Sequence, residues 1–134
     1  MPSQAGRVAV VTGTGGLGLE DAVALARAGA EVIVAGRNAV KGKAALERIG
    51  REVPGARASF EVLDLASLAS VAAFGARLRG QHRSLDLLIN NAAVMAPPTR
   101  RATADGFELQ MGTNHLGHVA LTAHLLPLLR RAPA

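Results

Sequence analysis

An α/β chain, forming part of a doubly wound parallel sheet with strand order 3-2-1-4, is predicted by three observations. Short apolar runs rich in Val, Ile and Leu alternate with longer segments of helical period along all 134 residues, as in successive right-handed β-α-β crossovers. The first run, Val8-Ala9-Val10-Val11, opens into Thr12-Gly13-Thr14-Gly15-Gly16-Leu17-Gly18 and then into a helical pattern. The fourth run, Leu85-Asp86-Leu87-Leu88-Ile89-Asn90, is almost wholly apolar, as expected of a strand buried on both faces of a sheet.

Each element has its own signal. A strand is predicted over 8–11 and a helix over about 18–28, closed by Gly29 as a C-cap. A second strand over 31–35 leads to a helix from the N-cap Asn38 to residue 52, where Pro54-Gly55 stops it. A third strand over 58–63 precedes a helix capped by Ser67, in which Leu68, Val71, Ala72, Phe74, Gly75 and Leu78 recur at helical spacing. The fourth strand covers 85–90. After a Pro-containing loop, a long helix is expected from about 104–106 to about 130, bent or ended by Pro127. Its apolar stripe reads Phe107, Met111, Asn114, His118, Leu121 and Leu125. The full doubly wound order continues to strands five and six. No segment here supplies them, so the sheet is expected to be truncated before strand five.

Composition narrows the function classes. One domain is the size to expect, with 49 % apolar residues but only 2 % aromatic. No window reaches the length of a membrane span, since Val119 to Leu129 is too short and is interrupted by His124 and Pro127. Residues 1–7 lack an apolar signal core and there is no cysteine, which together lead to the expectation of a cytoplasmic chain. The formal charge of +5 comes from basic residues scattered over every segment, without a basic run or stacking aromatics, so a nucleic-acid partner is not expected.

In such a sheet, ligands bind at the carboxyl ends of the strands. Glycines at 13, 15 and 18 make Gly-x-Gly-x-x-Gly between a strand and a helix. This arrangement turns the backbone tightly under a dinucleotide pyrophosphate, whose charge meets free N–H groups at the helix start. Thr14, Gly16 and Leu17 belong to the same turn. The second strand ends in Ala35-Gly36-Arg37-Asn38, with no carboxylate to grip a ribose 2′-hydroxyl. Arg37 can instead meet a 2′-phosphate with its guanidinium, which favours NADP(H) over NAD(H); otherwise it is a solvated arginine. Asp64-Leu65 follows the third strand, where the carboxylate can accept from an adenine amino group or serve as a cap or turn residue. Asn90-Asn91-Ala92-Ala93 ends the fourth, where the amides can bond backbone or touch the nicotinamide ribose. Asn114, polar on an apolar stripe, needs partners, so it ties down backbone or holds a water. His115 and His118 have no accompanying carboxylate or Cys in a metal-ligating pattern and read as packed or surface histidines.

Together these residues closely resemble the short-chain dehydrogenase/reductase family. The matching segments are Thr12 to Glu20, Ala35-Gly36-Arg37-Asn38, Asp64-Leu65, Asn90-Asn91-Ala92-Ala93 and Thr113-Asn114-His115-Leu116-Gly117-His118. The run from Met95-Ala96-Pro97-Pro98 through Ala104-Asp105-Gly106-Phe107-Glu108 to Leu126-Pro127-Leu128-Leu129 is similar to the subgroup holding retinol-dehydrogenase-like and protochlorophyllide-reductase-like members. The resemblance implies a Rossmann-type fold and NADPH-dependent hydride transfer on a small carbonyl or alcohol. It also implies that the glycine turn cradles the phosphates, Arg37 reads the 2′-phosphate, Asp64 meets the adenine and Asn91, Ala92 and Ala93 line the nicotinamide side. Asn114 would be the asparagine of the catalytic Asn-Ser-Tyr-Lys set.

Three departures from the family pattern accompany the resemblance. The turn is one residue shorter than Thr-Gly-x-x-x-Gly-x-Gly. Ala93 stands where the motif has glycine, which would cost about 1 kcal/mol if that position needs positive φ. Finally, the chain has no tyrosine. Residues 1–134 are therefore expected to be the cofactor-binding half of a reductase, inactive alone, self-associating or completed by another polypeptide. The alternative is a free-standing nucleotide-binding or interaction module without catalysis.

Overall fold

The computed structural model describes residues 1–133, so Ala134 lies outside the described residues. Four parallel strands form one sheet in the order β3-β2-β1-β4. They are β1 (Val8–Thr12), β2 (Glu31–Gly36), β3 (Ala58–Val62) and β4 (Leu87–Ile89). The helices are α1 (Gly16–Arg27), α2 (Ala39–Glu52), α3 (Leu68–Gln81) and, after a π-helical turn at Met111–Leu116, α4 (Gly117–Leu129). Strand side chains alternate between two cores. Ala9, Val11, Val32 and Val34 pack with α1 and α2, whereas Val10, Ile33 and Ala35 pack with α3 and α4 around Phe74, Leu121 and Leu125. The predicted strand order and fold class are the observed ones.

The caps follow the sequence. Asn38 accepts from the Lys41 amide and Ser67 from the Ser70 amide, each satisfying one free N–H of a helix start. Helix α1 begins at Gly16, two residues earlier than its apolar periodicity suggests.

Two expectations need correction. The long helix does not begin at 104–106. Residues 102–108 form a turn closed by an antiparallel bridge between Ala102 and Glu108, with Gly106 at φ 83°. Glu108 then starts the helical segment by accepting from the Gln110 and Met111 amides at 3.0 and 2.8 Å, bonds that hold its carboxyl below the usual carboxylate value. Phe107 and Met111 are therefore exposed rather than part of a buried stripe. The fourth strand is also shorter than expected: only residues 87–89 pair, on one side, with β1. As a sheet edge it is half-buried throughout, not covered on both faces. Pro127 is accommodated in the last turn of α4, which ends two residues later. No helix among the described residues is long and apolar enough to cross a membrane.

Candidate functional site

At the carboxyl ends of the four strands lies an open cleft of about 620 Å³, within the range of small-molecule sites. Its walls bring together Gly13, Thr14, Gly15, Gly16, Leu17, Arg37, Asp64, Leu65, Asn91, Ala92 and Ala93. These are the residues singled out from sequence, with two exceptions. Gly18 is buried beneath the turn, and Asn114 lies in a second groove of about 410 Å³ with Asn90, His115, His118, Val119 and Thr122.

The glycine turn is shaped by backbone that only glycine adopts cheaply. Gly13 has φ 104° and Gly16 φ 55°, both in the left-handed region. The Gly13 amide donates to the Ala35 carbonyl at 2.7 Å, tying the turn to β2. Gly15 is extended, supplies no side-chain cap to α1, and a Cβ there would meet nothing within 4 Å. Gly18 is different, because a Cβ on it would overlap the Asn91 amide and press on the Thr12 carbonyl. The short turn thus still delivers the start of α1 to the cleft. No acidic residue sits in that helix's first turn, and its first amides have no intrahelical acceptors. Amides and dipole together suit an anion.

Along the end of β2 the cleft is cationic. Arg37 and Lys41 both line it and both are exposed. Lys41 was not singled out from the sequence, although it lies in the first turn of α2, close after Arg37. Among the described residues that line the cleft, Asp64 is the one carboxylate. One of its oxygens is already used, accepting from the Ala66 amide at 2.9 Å in a turn that positions the loop.

The β4 side is built from backbone held by side chains. The Thr12 hydroxyl accepts from the Asn91 amide at 2.9 Å and the Ala92 amide at 3.0 Å. The Asn91 side chain donates to the Thr12 carbonyl at 3.1 Å, and Asn90 donates to Thr122 at 3.2 Å. Asn114 clamps Val94 from both sides, accepting from its amide at 2.7 Å and donating to its carbonyl at 2.8 Å. Of the two possibilities read from sequence, its side chain here ties down backbone. Positive φ falls on Ala96, at 45°, and not on Ala93, so the alanine at 93 carries no left-handed strain.

A dinucleotide fits what is present. The turn leaves open space beside Gly15 in the cleft wall, the helix start offers free amides, and two cations line the cleft after β2. The hydroxyl of Thr113, another cleft residue, is buried with no hydrogen-bond partner, as expected where a ligand or water completes a site.

The family model that matches the chain is described as short chain dehydrogenase and covers residues 7–134. The chain is 48 % identical over its whole length to polyprenol dehydrogenase of Mus musculus, and 43 % identical over 96 % of its length to retinol dehydrogenase 12 of the same species. It spans about 40 % of the length of these relatives. Among solved structures, it superposes on the Pseudomonas aeruginosa RhlG/NADP active-site complex with a TM-score of 0.82 and 31 % identity. That match covers 98 % of this chain and 51 % of the other.

Proposed function

The chain belongs to the short-chain dehydrogenase family, and on that premise we propose that it is the cofactor-binding half of an NADP(H)-dependent oxidoreductase acting on a small carbonyl or alcohol. The observation that carries the NADP(H) reading is the pair Arg37 and Lys41 at the end of β2, where none of the residues 35–41 that line the cleft is a carboxylate. The RhlG complex with NADP supports it. When bound, the cofactor supplies or accepts the hydride. The chain's own residues do the rest of what is proposed here. The start of α1 holds the pyrophosphate, Arg37 and Lys41 hold the 2′-phosphate, the free oxygen of Asp64 accepts from the adenine, and Asn91 to Ala93 line the nicotinamide side. Asn114 orders the loop beside the reacting end through Val94.

A fluorescence titration with NADPH and NADH tests this; the absence of Trp and Tyr leaves the dihydronicotinamide emission free of overlap. NADPH is expected to bind the tighter. Arg37→Ala removes a charge-assisted contact and should weaken NADPH about tenfold or more while leaving NADH unchanged. Equal affinities in the wild type, or tighter NADH binding, would overturn the reading.

Without a tyrosine the chain brings no phenolic acid/base, a contribution of about 10²–10⁴-fold. The 134-residue chain alone is expected to turn over no substrate. Sustained NADPH oxidation across a panel of ketones and aldehydes would contradict this. In the proposal, a complementing half or a second copy covers the free edge of β4 and the exposed Val119 and Leu126 of α4, an open apolar edge being prone to association.

A further inference from the structure

His118 is buried on α4 against the end of β1. Its Nδ1 lies 2.9 Å from the Asn114 carbonyl. A carbonyl can only accept, so Nδ1 carries the hydrogen. In the neutral ring Nε2 is then an acceptor, and the Thr12 hydroxyl at 2.9 Å donates to it. With its proton so directed, the Thr12 oxygen has two lone pairs left, and the amides of Asn91 and Ala92 take both. Every donor and acceptor in this chain of bonds is used once.

A second proton on the ring breaks that count. Nε2–H would point at an oxygen that already accepts two N–H groups. The Thr12 hydroxyl proton could turn to the Ile89 carbonyl at 3.3 Å, but three donors would then compete for two lone pairs. One of the two amides at the cleft would be displaced.

We infer that His118 is a positioning residue for the cleft: as the neutral Nδ1–H tautomer it orients the Thr12 hydroxyl and thereby fixes the Asn91 and Ala92 amides. The coupling itself needs no assumption about the ligand; its effect on affinity rests on the cofactor reading above. The side chains that share the groove with the ring are Asn90, Asn114, His115, Val119 and Thr122. His115, on the preceding turn, is the other titratable group there. Thr12 on β1 and Asn90 after β4 are uncharged.

Nitrogen-15 spectra of the histidine rings and of the backbone amides test the inference. The expected result is a neutral Nδ1–H ring for His118, with the Asn91 and Ala92 amides shifted and exchanging faster in His118→Phe and restored in His118→Gln, which offers an acceptor in place of Nε2. His115→Gln should leave both amides unchanged. NADPH affinity should fall roughly 3- to 10-fold in His118→Phe and be recovered in His118→Gln. An Nε2–H ring would overturn the inference, as would amides that ignore His118→Phe. If the wild type binds no NADPH, the cofactor reading fails, while the amide spectra still decide the role of His118. If His118→Phe does not fold, the wild-type tautomer and His118→Gln decide it alone.

Discussion

Gly18→Val is expected to remove nucleotide binding and lower stability together. Gly18 lies where α1 passes the end of β1, and even a Cβ there would overlap the Asn91 amide and sit 3.2 Å from the Thr12 carbonyl. Its backbone is ordinary, so the objection is crowding, not strain. To admit the side chain, α1 must move away or Asn91 must abandon its 3.1 Å bond to Thr12. Overpacking costs about 1–3 kcal/mol and the lost bond about 1 kcal/mol more. Both walls that meet there line the cleft, so affinity should fall about 30-fold or more. Gly15→Ala is the contrast. A Cβ at position 15 meets nothing within 4 Å and the residue is extended, so thermal stability should be unchanged. Its Cβ would enter the space read as the phosphate cradle, and only affinity should suffer. Thermal melts beside NADPH titrations of both variants check this. A Gly15→Ala chain that binds normally would put the phosphates elsewhere.

The second large effect is expected from Thr12→Val, which keeps the shape of a fully buried side chain and removes one hydroxyl. That hydroxyl serves the Asn91 amide, the Ala92 amide and the His118 ring at once. Its loss leaves two backbone donors and one ring acceptor without partners, each costing about 1–3 kcal/mol, against a total stability of about 5–15 kcal/mol for a domain. Denaturant unfolding should show a loss of about 3 kcal/mol or more, and Thr12→Ser should restore most of it. If the valine variant is as stable as the wild type, the bonds around Thr12 are not what holds the β4 end in place.

Much of this fold was legible because short apolar runs alternate with segments of helical period, and Asn38 and Ser67 announced two helix starts by chemistry that acts within a single turn. The cleft was legible for the same reason: strand ends are local, and a parallel sheet gathers them. The misread parts depend on distant partners. Residues 104–106 have helix-compatible neighbours, yet Asp105 accepts from the Leu68 amide at 2.8 Å and the Ala102–Glu108 bridge closes a turn instead. The extent of β4 is set by distant partners: the Asp86 carboxylate accepts from the Val8 amide and the Thr12 hydroxyl from the Asn91 amide, so the ladder with β1 is confined to residues 87–89. The bond between Thr12 and His118 joins residues 106 apart, and no spacing rule reaches that far. Lys41 was within reach, since it falls in the first turn of α2 just after Arg37 and lines the same cleft.

The central claim is that the start of α1 and the cations after β2 hold a phosphorylated dinucleotide. Backbone amide shifts during an NADPH titration of the isotope-labelled chain test it most directly. The account predicts the largest shifts at Gly15 to Gly18 and at Arg37 to Lys41, with smaller ones at Asp64 and Asn91 to Ala93. Saturable binding whose shifts avoid Gly15 to Gly18, or no binding at all, would contradict it.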